Sequence, residues 1–237
     1  MVNNEESRDW SGLYKIGAGS AIIIVLVYLI ELVVVVRYGL PPGTVEGWFS
    51  LFQSNRLVGL IQSFALDVIA VSLHAPLYIA LFFLLRQSKK GYATLILAAI
   101  FAFIGLAVYF ASNITFSMLY LSDQFASAAT EAQKSQILIS GQTLLAIYNG
   151  TGPFIAFLFN AVAGILVSVV MLQSHVFART IAIAGIVGNA LELGLPPSID
   201  PPFFLQIDPI LIGLGGVILI FWYIAIAVKF CRVVIQV

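Results

Sequence analysis

Ile16 to Val36 is an apolar stretch interrupted by a single charged residue, Glu31, and comparable stretches recur along the chain. A run of about 20 apolar residues is what a helix needs to cross a hydrocarbon core roughly 30 Å thick. Lipid solvates apolar side chains but offers nothing to backbone N–H and C=O groups, so such a run must fold as a helix or within a closed barrel. The runs here lack the strict alternation of barrel strands, which selects helices. Composition agrees: 61% of the 237 residues are hydrophobic and only 9% are charged, with a mean hydropathy of +1.05, more apolar surface than a water-soluble fold can hide. The expected fold is therefore all-α, a polytopic transmembrane helical bundle forming one domain over residues 1–237.

Breakers divide the chain into about six spans. The first, 14–37, ends at Gly39-Leu40-Pro41-Pro42; it is too long for a signal-peptide core and no small-residue cleavage site follows, so it reads as a retained helix. Residues 44–55 suggest a short interfacial helix with Trp48 at headgroup depth. The second span, 56–85, is read as one long helix that Pro76 is expected to kink, ending at the basic turn Arg86 to Gly91. The third runs over 92–120. Thr130-Glu131-Ala132-Gln133 has the form of a capping box opening an interfacial or extramembrane helix over 131–148, too polar to span with its Lys134, Gln136 and Gln142. Asn149 to Pro153 breaks the chain before a fourth span, 154–172. The fifth span, 176–193, is short and is followed by Pro196-Pro197 and Pro201-Pro202. Asp208 and Pro209 read as N-cap and first residue of the sixth, 209–230.

Eleven basic residues balance eleven acidic ones, which leaves no electrostatic footprint for nucleic acid. Their positions matter more. A cytoplasmic N-terminus puts Arg8, Lys15, Arg86, Lys89, Lys90, Arg179, Lys229 and Arg232 inside, and only Arg37, Arg56 and Lys134 outside. The positive-inside rule then favours a multi-pass protein of the cell membrane with both termini cytoplasmic.

Charged groups in hydrocarbon cost at least about 2.5–3.5 kcal/mol each, so Glu31, Asp67 and Glu192 stand out. In this topology all three lie in the outer half of the bilayer. Other polar residues follow them there: Tyr109, Asn113 and Ser117 on one stripe of the third helix, Asn160 and Ser168 on one stripe of the fourth, and Asn189 three before Glu192. Ser63, Asp67, His74 and Tyr78 share a face of the second. Turned inward, these stripes make a polar, outward-facing cavity closed by apolar packing below. Its candidate ligand-binding residues are Glu31, Asp67, His74, Tyr109, Asn113, Asn160, Asn189 and Glu192. Structural roles compete at each position: Glu192 can reach interfacial water, Tyr28 can bond Glu31, and Asn113 or Asn160 can bond Asp67. His74 can donate to a carbonyl freed by Pro76. Gly213, Gly215 and Gly216 in the sixth helix, with Ala182, Gly185 and Gly188 in the fifth, suit close helix contact.

The chain has no GxSxG elbow, HExxH, P-loop or Cys/His cluster, and with Cys231 its single cysteine no intrachain disulfide is possible. No metal ligand set or cofactor is indicated. Asp67 and His74 stand about 10.5 Å apart along a helix axis, too far for a direct acid–base dyad. No basic residue is expected inside the hydrocarbon, so neutral amphiphiles, lipids or cations fit the cavity better than small anions, unless Arg37 and Arg56 form its mouth.

Leu13 to Gly17, Gly43 to Phe49, Tyr109 to Asn113, Leu121 to Gln124, Met171 to Ser174 and Asn149-Gly150-Thr151 together resemble the prokaryotic membrane-protein family described as domain of unknown function four thousand three hundred and eighty-six. That resemblance covers most of the chain; it implies a polytopic membrane protein and brings no activity, cofactor or catalytic residue with it. Three classes of function follow. One is binding or transport of a small or lipid-like molecule. The second is a structural or assembly subunit, in a homo-oligomer or with a membrane-complex partner. The least favoured is an intramembrane enzyme using Asp67 and His74.

Overall fold

The computed structural model describes residues 10–63, 65–88, 91–193 and 204–236, and every regular element among them is a helix. In chain order these are α1 (Ser11–Tyr38), α2 (Val45–Ser54), α3 (Arg56–Gln62), α4 (Ala65–Arg86), α5 (Tyr92–Ser112), α6 (Thr115–Ser127), α7 (Glu131–Tyr148), α8 (Thr151–Ser174), α9 (Arg179–Leu191) and α10 (Phe204–Ile235). Five helical stretches are long and apolar enough to cross a membrane: α1, α4, α5 with α6, α7 with α8, and α10 from Ile210. With its 13 residues, α9 rises only about 20 Å and falls short of a full crossing by itself.

Neighbour relations close a ring. α1 packs on α4, α4 on α5, α5 on α8, α8 on α9, α9 on α10, and α10 back on α1. One end of the ring is filled: Tyr14, Leu81, Leu84, Leu85, Met171 and Phe230 are fully buried there, with Tyr14 stacked on Phe230 at 5.7 Å. Arg86 lies over Trp10 and Phe83 at this end, next in sequence to the basic turn and in space to the N-terminal turn of α1. In lipid the apolar environment itself gives helices no hydrophobic reason to associate, so close contact through small residues does the work. A methyl on Gly17 would overlap Ala80 and Phe230, one on Gly188 would overlap Leu219, and one on Gly215 would press on the backbone of α9.

The other end carries a cap built from α2, α3, α6 and α7 around its own apolar core of Val45, Trp48, Phe49, Phe52, Ile114 and Met118. Local chemistry starts each cap helix. The Thr44 side chain accepts from the Gly47 N–H and opens α2. The Asn55 side chain accepts from the Val58 N–H and opens α3. Thr130 and Gln133 form the expected reciprocal capping box at α7. A two-pronged Arg56–Asp123 ion pair at 3.0–3.1 Å ties α3 to α6; with both side chains more than half exposed it contributes about 0–1 kcal/mol.

Four expectations need correction. Residues 56–85 are two helices, because the chain breaks at Ser63; its carbonyl accepts from the Thr115 hydroxyl and is lost to the helix ladder. Residues 92–120 are also divided, since Asn113 takes an extended conformation as the end of α5 and its side chain accepts from the Thr115 N–H. Trp48 does not face the headgroups: it is 1% exposed and packs on Phe52 and Tyr148 in the cap. Asp208 does not cap the last helix, which is already under way at Phe204 and runs on to Ile235. The readings placed on Arg8, Lys89, Lys90 and Pro196 to Pro202 lie outside the described residues.

Candidate functional site

Between the filled end and the cap, the ring encloses a cavity of about 490 Å³. Its wall is drawn from five ring helices and from the α7–α8 junction. Tyr28 and Glu31 come from α1, Asp67, His74 and Tyr78 from α4, and Asn160 from α8. Asn189 and Glu192 come from the end of α9, and Gly213, Gly216 and Tyr223 from α10. Six of the eight residues singled out in the sequence therefore share one hollow: Glu31, Asp67, His74, Asn160, Asn189 and Glu192.

Tyr109 and Asn113 do not join them. They line a separate hollow of about 20 Å³ with Ser63, Ser112 and Ile114, which shares Tyr148, Pro153 and Phe157 with the main cavity. The Asn113 amide donates to the Tyr109 hydroxyl at 3.0 Å and accepts from the Thr115 N–H at 3.1 Å. Its side chain is thus held at the break between α5 and α6. Ser117, beyond that break, is exposed and off the expected stripe.

The acids approach from three directions. Glu31 of α1 and Asp67 of α4 line the same hollow, and Asp67 is 8% exposed. One oxygen of Glu31, Oε1, and the side-chain oxygen of Asn160 are buried with no protein partner. Glu192, just past the last turn of α9, reaches across Gly216: a methyl there would stand 3.5 Å from the carboxylate Oε1 and touch nothing else. The two amides are seated by glycines. Asn160 donates to the Ala156 carbonyl at 3.1 Å and presses on Gly105 of α5. Asn189 donates to the Gly185 carbonyl at 2.7 Å and lies against Gly164 of α8.

His74 forms the floor. Its Nδ1 sits 2.8 Å from the Ala70 carbonyl, which can only accept, so Nδ1 carries the proton. In the neutral ring Nε2 is then left to accept from the Tyr223 hydroxyl at 2.8 Å. This satisfies the expected bond to a backbone carbonyl, though the carbonyl is that of Ala70. Tyr28 meets Tyr223 edge-on at 6.1 Å and Tyr78 stacks on His74 at 6.0 Å, so the floor is aromatic. Sequence reasoning missed Tyr223 and Tyr148. Tyr223 was signalled by a hydroxyl deep in an otherwise apolar helix, whereas Tyr148 had no local signal because α7 reaches the cavity only through the fold of the cap.

The His74–Tyr223 bond gives a direct test. Tyr223→Phe leaves Nε2 buried without a donor and is expected to cost about 1–3 kcal/mol. Thermal unfolding in detergent reads that loss. His74→Leu in the same background should recover part of it, since both halves of the pair are then absent.

Comparison with curated proteins and with solved structures finds no match to this chain. One family model does match, over residues 16–227, from early in α1 to late in α10, and so takes in the cap, every residue of the cavity wall and all of the ring but the first turn of α1 and the last turns of α10. The chain, a multi-pass membrane protein by its apolar helices, belongs to the family described as domain of unknown function (DUF4386).

Proposed function

We propose that the protein binds or transports a small or lipid-like molecule in the ring cavity, on the outer side of the cell membrane. One observation carries this reading: polar residues costly to bury in lipid come from α1, α4, α8 and the end of α9 to face a single hollow. A protein using those residues only to bind helices together would pair them with one another and leave no space. Here about 490 Å³ remains, within the range of sites that hold small organic ligands.

The direction of the site follows from charge. Lys15, Arg86, Arg179, Lys229 and Arg232 belong to the filled end of the ring, and Arg37, Arg56 and Lys134 to the opposite side. The positive-inside rule then favours a cytoplasmic filled end, with both termini, and a cavity and cap toward the outside.

Gly216→Leu tests the reading. The new side chain starts in ordinary contact with Glu192 alone and grows into the cavity, and replacing a helical glycine is favourable for the helix by about 0.5–1 kcal/mol. The variant should fold as well as the parent and lose any small molecule that native mass spectrometry finds on the protein in mild detergent. A bound mass unchanged by filling the cavity would place the ligand elsewhere and end the proposal.

A further inference from the structure

We infer that the cavity takes a cationic amphiphile, an organic ammonium head held among Glu31, Asp67 and Glu192 with an apolar tail leaving between α1 and α10. This rests on the ligand-binding reading above and adds to it the chemical class of the ligand.

Charge comes first. Three carboxyl groups face the cavity and, among the described residues, no Lys or Arg lines it. The segment joining α9 to α10 cannot supply one, because the sequence holds no basic residue between Arg179 and Lys229. Arg37, the nearest base along α1, is exposed, with its guanidinium 5.7 Å over the Tyr38 ring. A ligand that brings positive charge therefore meets three acceptors and no competitor. An anion would meet only repulsion in a medium that screens it poorly.

The spread of the acids sets the size of the cation. Among the described residues no three His, Cys, Asp or Glu converge as a metal-binding group. The acids stand on the walls of a hollow whose remaining lining includes Tyr28, Tyr78, Tyr148 and Tyr223. Carboxyl groups brought from three different helices, mixed with aromatic faces, suit a bulky ammonium, which gains from ring quadrupoles as well as from charge.

The wall itself provides for a tail. α1 and α10 touch closely at the filled end, where Gly17 meets Phe230, and Tyr28 still meets Tyr223 at mid-height. Above that level the wall residues Leu32, Ile212 and Val217 line the cavity and are 44%, 40% and 42% exposed. A Cβ on Gly213, between them, would meet nothing within 4 Å. These wall residues are apolar, and Ile30, Val33, Ile210 and Leu214, close to them in sequence on α1 and α10, are exposed, so a hydrocarbon chain leaving between the two helices would meet apolar side chains.

The experiment measures saturable binding of radiolabelled dodecyltrimethylammonium to the purified full chain in maltoside micelles, against dodecanol and tetramethylammonium. Dodecyltrimethylammonium should bind at one site and at least 10-fold more tightly than either the uncharged chain or the tailless head. Asp67→Asn and, as a second variant near a helix end, Glu192→Gln should each weaken it at least 10-fold, while Asp123→Asn, an exposed acid in the cap, should not. Leu32→Trp should weaken the dodecyl compound and spare tetramethylammonium. Equal binding of dodecanol, unmoved by both cavity acids but lost in Gly216→Leu, would overturn the cationic class and leave the ligand site standing. Absence of saturable binding by any of the three compounds, with a native bound mass that survives Gly216→Leu, would overturn both.

Discussion

Gly215→Val is expected to lower the stability of the folded ring by about 1–3 kcal/mol, the usual range for forcing extra methyl groups into a filled contact, and to disturb ligand binding as well. A Cβ at this position would stand 2.9 Å from the Gly188 carbonyl oxygen and 2.9 Å from the Glu192 amide nitrogen. Both are backbone atoms, so no rotamer change relieves the contact and α9 has to move away from α10 as a body. Asn189 and Glu192 move with it, which is why stability and binding should fall together. Gly213→Val is the internal comparison: on the same helix, its Cβ meets nothing within 4 Å, and the substitution should leave the unfolding midpoint unchanged or slightly raised. Thermal unfolding of the two variants in one detergent separates them. Equal midpoints would mean that the α9–α10 contact does not hold the ring.

The glycines show how far the sequence could be read. Six residues in the last two spans suit close helix contact by their small size, and Gly185, Gly188 and Gly215 do make such contacts. Gly213 and Gly216 do not; they open the wall of the cavity, and nothing in local spacing separates a glycine that admits a helix from one that admits a ligand. The apolar runs, the breakers at Gly39 to Pro42 and Asn149 to Pro153, and the capping box at Thr130 were legible because each acts within a few residues. The break at Ser63 was not, because its carbonyl is taken by the Thr115 hydroxyl, 52 residues away. The break at Asn113 is local, its side chain accepting from the Thr115 N–H two residues on, but an Asn inside an apolar run gives no sign of its own whether it ends the helix. This junction also explains the division of the site residues. Asn113 was placed on a continuous stripe that would have carried it to the cavity, whereas the break uses its amide and leaves it in the smaller hollow.

Trp48→Ala is expected to loosen the cap while leaving the ring intact. Trp48 is 1% exposed, stacks on Phe52 at 5.9 Å and meets Tyr148 edge-on at 5.9 Å. Removing a large aromatic side chain from such a site costs about 3–5 kcal/mol in packed protein cores. The cap has little else to absorb the loss: its core is a separate cluster from that of the ring, and its Arg56–Asp123 pair is largely solvated. Hydrogen–deuterium exchange should therefore show lost protection over 45–62 and 115–148, with protection retained over α1, α4, α8 and α10. The change should reach the ligand through one residue. Tyr148 is both a wall of the Trp48 pocket and a wall of the cavity, and the chain breaks just after it at Asn149 and Gly150. A loosened cap frees that side chain, so a bound ligand should leave faster from Trp48→Ala than from the parent, while the acids beneath stay where the ring holds them. Uniform loss of protection across ring and cap would instead make the two a single cooperative unit, and the cap would then be a support for the ring with no separate part in admitting or retaining a ligand.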